Sequence, residues 1–261
     1  MPRYRLLIEY DGTSFVGWQQ QAEGVSVQGA LKDAIAKFSG ESVSVRGAGR
    51  TDAGVHALGQ VAHFDLTKDW DPFRVQEAIN FHLKPRFAAV LECAIADPGF
   101  DARFSATKRH YIYRLLCRRA PPVLERNRVW WLNHALDVDA MAEAAKIFVG
   151  HHDFTTFRAA QCQALSPVKT VDAMSVVADG SEIRIDVSAR SFLHSQVRSM
   201  VGSLKLAGDG KWTVRDLEDA LAARDRTRCG PVAPAFGLYL ARVDYDSKAS
   251  DPVIEPDDND E

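Results

Sequence analysis

Cysteine is scarce in this sequence: Cys93, Cys117, Cys162 and Cys229 stand far apart, and none forms a C-x-x-C pair. That spacing disfavours a zinc ribbon or a disulfide scaffold and fits a reducing compartment. No apolar run approaches the roughly 18 residues a membrane span needs. The opening residues, Met1-Pro2-Arg3-Tyr4-Arg5, lead straight into a strand-like stretch and lack signal-peptide character. No G-K-[ST] triplet occurs, so a P-loop is excluded. Base is not in excess either: 32 Lys and Arg face 35 Asp and Glu, for a net charge of −3.

That balance hides an uneven distribution. The last eleven residues hold six acids (Asp251, Glu255, Asp257, Asp258, Asp260, Glu261) and no base, so the preceding 250 residues carry +3. Residues 248–261 read as a solubilising, disordered acidic tail. Between Arg103 and Arg128 eight bases face one acid, Glu125, with aromatics interleaved. Such a run serves either as a polyanion footprint or as a solvated strand and loop.

With 46% hydrophobic and 26% charged residues the chain has globular composition, and 261 residues make one large domain or two small ones. Tyr4–Tyr10 has strand character. Ser26 caps a helix with Val27, Leu31, Ala34, Ile35 and Phe38 on its apolar face, and Gly40 ends it. A short strand over Ser42–Arg46 follows. Leu58–Leu66 is an alternating strand, with Ala62, Phe64 and Leu66 on one face and Val61, His63 and Asp65 on the other. Asp71-Pro72 opens a helix to about His82, and Phe87–Ile95 is a strand.

The second half repeats this order. Arg109–Leu116 reads as a strand and Asp137–Val149 as a helix stopped by Gly150. Thr170–Val177 and Glu182–Ser188 flank the hairpin signal Asp179-Gly180. Leu193–Leu206 reads as a helix, Thr213-x-x-Asp216 as a capping box for a further one, and Leu238–Tyr245 as a strand. The expected fold is α+β: two split β-α-β halves, residues 1–102 and 103–247, each with its own antiparallel sheet, meeting in a central cleft.

Three segments carry candidate chemistry. Gly47-Ala48-Gly49-Arg50-Thr51-Asp52-Ala53-Gly54-Val55-His56 joins two strands, and its glycines permit sharp turns and a close ligand. It is no Rossmann fingerprint, because Asp52 stands where the third glycine belongs and no helix follows. Asp52 is either a turn former bonded to its own backbone or a nucleophilic carboxylate flanked by Arg50. On the strand after Phe104, Arg109, Tyr111 and Tyr113 share one face, as either a half-buried strand or a base-stacking platform. In Ser191–Gly202, His194 and Arg198 fall one helical turn apart, and Arg198 needs a carboxylate or solvent. A metal site at His151-His152-Asp153 is disfavoured, since adjacent side chains diverge and no third ligand is suitably spaced.

Together these segments resemble the tRNA pseudouridine synthase A family. The resemblance runs from Tyr10-Asp11-Gly12, Gly17-Trp18-Gln19-Gln20 and Val27-Gln28 through Gly49–Ala57 to Phe100–Thr107. It continues at Tyr111, Cys162-Gln163, Phe192-Leu193, Gln196-Val197-Arg198 and Gly237-Leu238-Tyr239-Leu240. The G-R-T-D-A-G-V-H-A stretch is its most specific part, and the acidic tail departs from the family pattern. The resemblance implies isomerisation of uridines 38, 39 and 40 in the tRNA anticodon stem-loop by a cytoplasmic homodimer with RRM-like halves, without cofactor or metal. It implies Asp52, Tyr111 and Arg198 as the catalytic set: the carboxylate, the ring packed on the target base, and the cation paired with the carboxylate. Arg50, Thr51, Leu238 and Arg109 are the expected substrate-binding residues. The uncatalysed alternative is a pure RNA binder, which has no use for a carboxylate facing a polyanion.

Overall fold

The computed structural model describes residues 1–246, so the acidic tail expected over 248–261 lies outside the described residues. The first half runs β1 (Arg3–Tyr10), α1 (Val27–Ser39), β2 (Arg46–Gly47), β3 (His56–Asp65), α2 (Pro72–Leu83), β4 (Ala88–Ala96). The helix signals act as expected. Ser26 Oγ accepts the Gly29 N–H at 3.0 Å, Gly40 ends α1 at φ +74°, and Asp71 accepts the Arg74 N–H at 2.9 Å ahead of Pro72. Alternate residues of β1, Tyr4, Leu6, Ile8 and Tyr10, are buried in the core.

The second half runs β5 (Ala106–Cys117), β6 (Trp130–Leu132), α3 (Val138–Ala145), β7 (Gly150–Asp153), β8 (Val168–Asp179), β9 (Glu182–Ala189), α4 (Gln196–Gly208), α5 (Val214–Ala223), β10 (Leu238–Tyr245). Thr213 and Asp216 form the reciprocal capping box of α5. Strands β6 and β7 are additional to the sequence reading; both are short and depend on distant partners, β6 lying parallel to Leu115–Cys117 and β7 antiparallel to Val168–Val171. Helix α3 is shorter than expected: it ends at Ala145, tightens into a 3₁₀ turn over Lys146–Phe148, and gives way to Gly150 at φ +112°. Helix α4 starts at Gln196 rather than Leu193, because Ser195 adopts a left-handed conformation, φ +58°.

The largest departure concerns the sheet. In place of the two separate sheets expected, the strands of the described residues form one, ordered β4-β1-β3-β10-β5-β9-β8-β7, with β2 on β3 and β6 on β5. The join is a short parallel ladder, Tyr239 to His56 and Leu240 to Ala57. β2 pairs only with Ala62 and His63 of the same β3 edge, which leaves the His56–Ala57 end free for β10. Of the expected Ser42–Arg46 strand only Arg46 is paired, and the pairing continues one residue beyond it, to Gly47. Both faces of β3 are buried, against the alternation read from sequence. The connector between the halves crosses its second face: the Ala102 N–H donates to His63 Nδ1 at 3.1 Å, and Phe100 packs edge-on to that ring at 5.9 Å.

Candidate active site

The loop between β2 and β3 is fixed from below before it presents anything to solvent. The Ala48 N–H donates to Val61 O at 2.8 Å, and Gln60 Nε2 donates to Gly49 O at 2.8 Å. Thr51 O accepts the Trp18 N–H at 3.0 Å, beside Gly17, where a Cβ would lie 2.7 Å from that oxygen. Glycine is therefore needed at position 17 both for space and for its φ of +108°. The Thr51 hydroxyl is spent on Tyr10 Oη at 2.8 Å in the interior, where burial pushes the Tyr10 phenol up to about 12. Thr51, expected from the sequence at the substrate, is buried with its side chain turned into the core.

The Asp52 side chain makes no bond to its own backbone among the described residues, so it is not the turn former of the first reading. The Asp52 backbone carbonyl closes a turn by accepting the Val55 N–H at 3.1 Å, while the carboxylate reaches across to the second half. Oδ2 accepts from Arg198 Nη1 at 2.9 Å and from Ser195 Oγ at 3.1 Å. His194 Nε2 lies 3.3 Å from Oδ1. The aspartate and arginine side chains are 23% and 20% exposed, so the pair is shielded yet open on one side. Arg198 is itself anchored: Nε donates to Ala233 O at 2.8 Å, and the Ala233 N–H returns to Arg198 O at 3.0 Å.

His194 does not lie on the helix with Arg198, as its spacing suggested. It precedes the left-handed Ser195, and that kink brings residues 194, 195 and 198 onto one carboxylate. The sequence carried no local signal for this, since a positive φ at serine is not encoded by helical periodicity.

Tyr111 lies in β5, 8% exposed, edge-on to Phe192 with centroids 5.3 Å apart. Its hydroxyl has no hydrogen-bond partner among the described residues. Gly49 of the loop lies beside it, where a Cβ would meet the hydroxyl at an ordinary contact distance of 3.6 Å. Burial, then the neighbouring Tyr10 and Asp52, push the Tyr111 phenol well above its ordinary range, so it stays protonated at neutral pH. Leu238, 6% exposed, starts β10 opposite Tyr113, two residues before Leu240 faces Tyr111. Arg50 is exposed and has no partner among the described residues.

Of the two readings of this strand, half-buried or base-stacking platform, the half-buried one describes Arg109: it is buried, and four of its five N–H groups are spent on backbone carbonyls. Nη1 donates to Ala106 O (3.3 Å) and Arg190 O (2.6 Å), and Nη2 to Ala48 O (2.8 Å) and Arg103 O (2.6 Å). Period-2 spacing correctly grouped Arg109, Tyr111 and Tyr113, but that shared face is the covered one. Arg114 is likewise engaged, bidentate to Glu182 and paired with Glu125 at 2.8 Å. The basic run therefore shows solvent only part of its charge. Arg103, stacked over the exposed Phe104 ring at 5.4 Å, is its outward cation–aromatic pair.

His56 closes the loop. Its Nδ1 accepts the Gly12 N–H at 3.0 Å, so Nε2 carries the proton and donates to Asn127 O and Phe236 O, each at 3.0 Å. Burial lowers its pKa, consistent with a neutral ring stacked on Tyr239 at 4.7 Å. His151, His152 and Asp153 turn to three different partners, Thr170 Oγ1, Val149 O and the Thr155 N–H.

The sequence profile of the tRNA pseudouridine synthase family matches residues 6–105 and 144–246. A tRNA pseudouridine synthase A of Afipia carboxidovorans is 61% identical over 245 residues, covering 94% of this chain and 100% of its own. The enzyme of the same description from Sinorhizobium medicae is 58% identical over 247 residues, covering 94% and 100%. That of Rhizobium leguminosarum bv. trifolii is 53% identical over 265 residues, covering 100% and 99%.

Proposed function

The chain belongs to the tRNA pseudouridine synthase family, and on that premise we propose that Asp52, Tyr111 and Arg198 form the centre at which it isomerises uridine in tRNA. The enzyme is an isomerase: the uracil N1–C1′ bond breaks, the base turns over, C5 bonds to C1′, C5 gives up its proton and N1 takes one. The observation that carries the assignment is the Asp52 carboxylate, brought by a rigid loop of the first half onto Arg198 of the second at 2.9 Å.

Asp52 either adds to C1′ or removes a C2′ proton to form a glycal, and both routes need it ionised. Arg198 places the opposite charge 2.9 Å from it, since a carboxylate shielded from water without a cation is costly. Tyr111 packs against the everted base and handles the C5 proton through its unbonded hydroxyl. Leu238 lines the base pocket on the β10 side. Arg50, free at the loop rim, draws the nucleotide out of the stem. Extrusion costs a few kcal/mol, which contacts to the base and phosphates offset. Arg109 has no comparable place at the RNA surface.

The targets are uridines 38, 39 and 40 of the anticodon stem-loop. The division into residues 1–102 and 103–247 follows the strand orders, β4-β1-β3-β2 and β10-β5-β9-β8, which we take as an RRM-like unit used twice around a central cleft. A cytoplasmic homodimer working without cofactor or metal is the form that family likeness supports. No helix among the described residues is long and apolar enough to cross a membrane.

The test is incubation with unmodified tRNA followed by carbodiimide mapping of pseudouridine. The wild-type protein modifies one or more of positions 38–40, while Asp52→Asn binds the same tRNA and leaves it unmodified. Pseudouridine from Asp52→Asn, or none from the wild type, overturns the assignment; tRNA binding without any product leaves a non-catalytic RNA binder.

A further inference from the structure

We infer that Arg109 is a positioning residue that sets the approach of Asp52 to Arg198. The inference rests on Asp52 being the catalytic carboxylate. Arg109 pairs with no carboxylate among the described residues, and its donors go to carbonyls of three separate segments. Ala48 stands at the root of the loop that carries Asp52. Arg190 stands at the start of the stretch that carries His194, Ser195 and Arg198. Arg103 belongs to the connector joining the halves, and Ala106 follows it at the start of β5.

One guanidinium thus ties together the two chain segments whose side chains meet at the site, with the connector as the third anchor. A planar fork of fixed N–H directions suits this work, because its acceptors are spread around the plane. Lysine keeps the charge but gathers its donors at one atom and cannot serve four carbonyls so arranged. A cation spent in this way cannot contact phosphate, so its removal should act on the chemical step and leave the electrostatics of tRNA binding alone.

The experiment uses Arg109→Lys and Arg109→Ala in the full chain. Three quantities are measured: single-turnover pseudouridine formation with enzyme in excess, tRNA Kd across a salt series, and the thermal melt. A misplacement of about 1 Å at a reacting centre costs on the order of 100-fold in rate, so we expect losses of about 10-fold for Lys and 100-fold for Ala. Added guanidinium should restore part of the Ala loss. The slope of log Kd against log salt should match the wild type. A slope lowered by about one with an unchanged saturated rate would make Arg109 a phosphate contact and overturn the inference. A wild-type rate in Arg109→Lys would also overturn it, as would failure of both variants to fold. If the wild type itself makes no pseudouridine, the underlying assignment fails, which is a separate result from a fully active Arg109→Lys.

Discussion

Replacing Arg198 by methionine keeps most of the side-chain volume and removes the cation from Asp52. Unit charges 4 Å apart attract by about 4 kcal/mol at an effective dielectric of 20 and about 1 kcal/mol in bulk water. With each side chain about one-fifth exposed, the pair falls between these limits, at about 2–3 kcal/mol. If this attraction orients the carboxylate for reaction, its loss slows the reaction about 30- to 160-fold, at 1.36 kcal/mol per factor of ten. Ser195 and His194 remain at Asp52 but hold it less firmly. The assay is tritium release from [5-³H]uridine tRNA under single-turnover conditions, with tRNA affinity measured in parallel. Arg198→Lys should fall between, since it retains charge but loses the Nε bond to Ala233 O. An Arg198→Met rate within threefold of wild type would refute the electrostatic reasoning.

Tyr111→Phe should keep tRNA binding and lose product formation; normal single-turnover yield would remove the hydroxyl from the proton step. Tyr10→Phe strands the buried Thr51 hydroxyl, at a cost of about 1–3 kcal/mol, and should lower Tm by about 2–10 °C for a chain of this size. Adding Thr51→Val should recover part of that loss, whereas strictly additive melts would show that the two hydroxyls are not coupled. For Asp209, burial raises the carboxyl pKa, but bonds from Lys205, His134 and Lys211 outweigh it and hold the group at about 2. The unfolded value is about 3.9, so the stabilisation is present above pH 4 and lost as pH falls towards 2. Urea midpoints of wild type and Asp209→Asn should therefore differ at pH 6 and converge near pH 2; a constant gap would contradict the assignment.

Features set by near neighbours were legible in the sequence. Ser26, Asp71 and Thr213 cap helices where their spacing says they should, and the β-α-β-β-α-β order holds in the first half, while the second carries the additional strands β6 and β7. Asp52 and its motif were recognisable because a rigid turn and its carboxylate lie within one short segment. What escaped was long-range. Nothing near Tyr239 announces that it lies beside His56. Alternation in β5 groups Arg109 with Tyr111 but does not say which face the rest of the chain covers. The three-residue shift at the start of α4 has a different cause, a single left-handed serine inside an apolar period that continues through it.

Among the described residues the last strand along the chain, β10, is the one in the middle of the sheet. A ribosome delivers β1 to β4 long before it delivers residues 238–245, so the first sheet can assemble without its later neighbour. Until those residues emerge, β3 and β5 have nothing between them, and the halves that carry Asp52 and Arg198 lack the strand that makes their sheets one. A nascent or clipped chain lacking that segment would therefore hold the motif intact and be inert, with activity arriving late in synthesis.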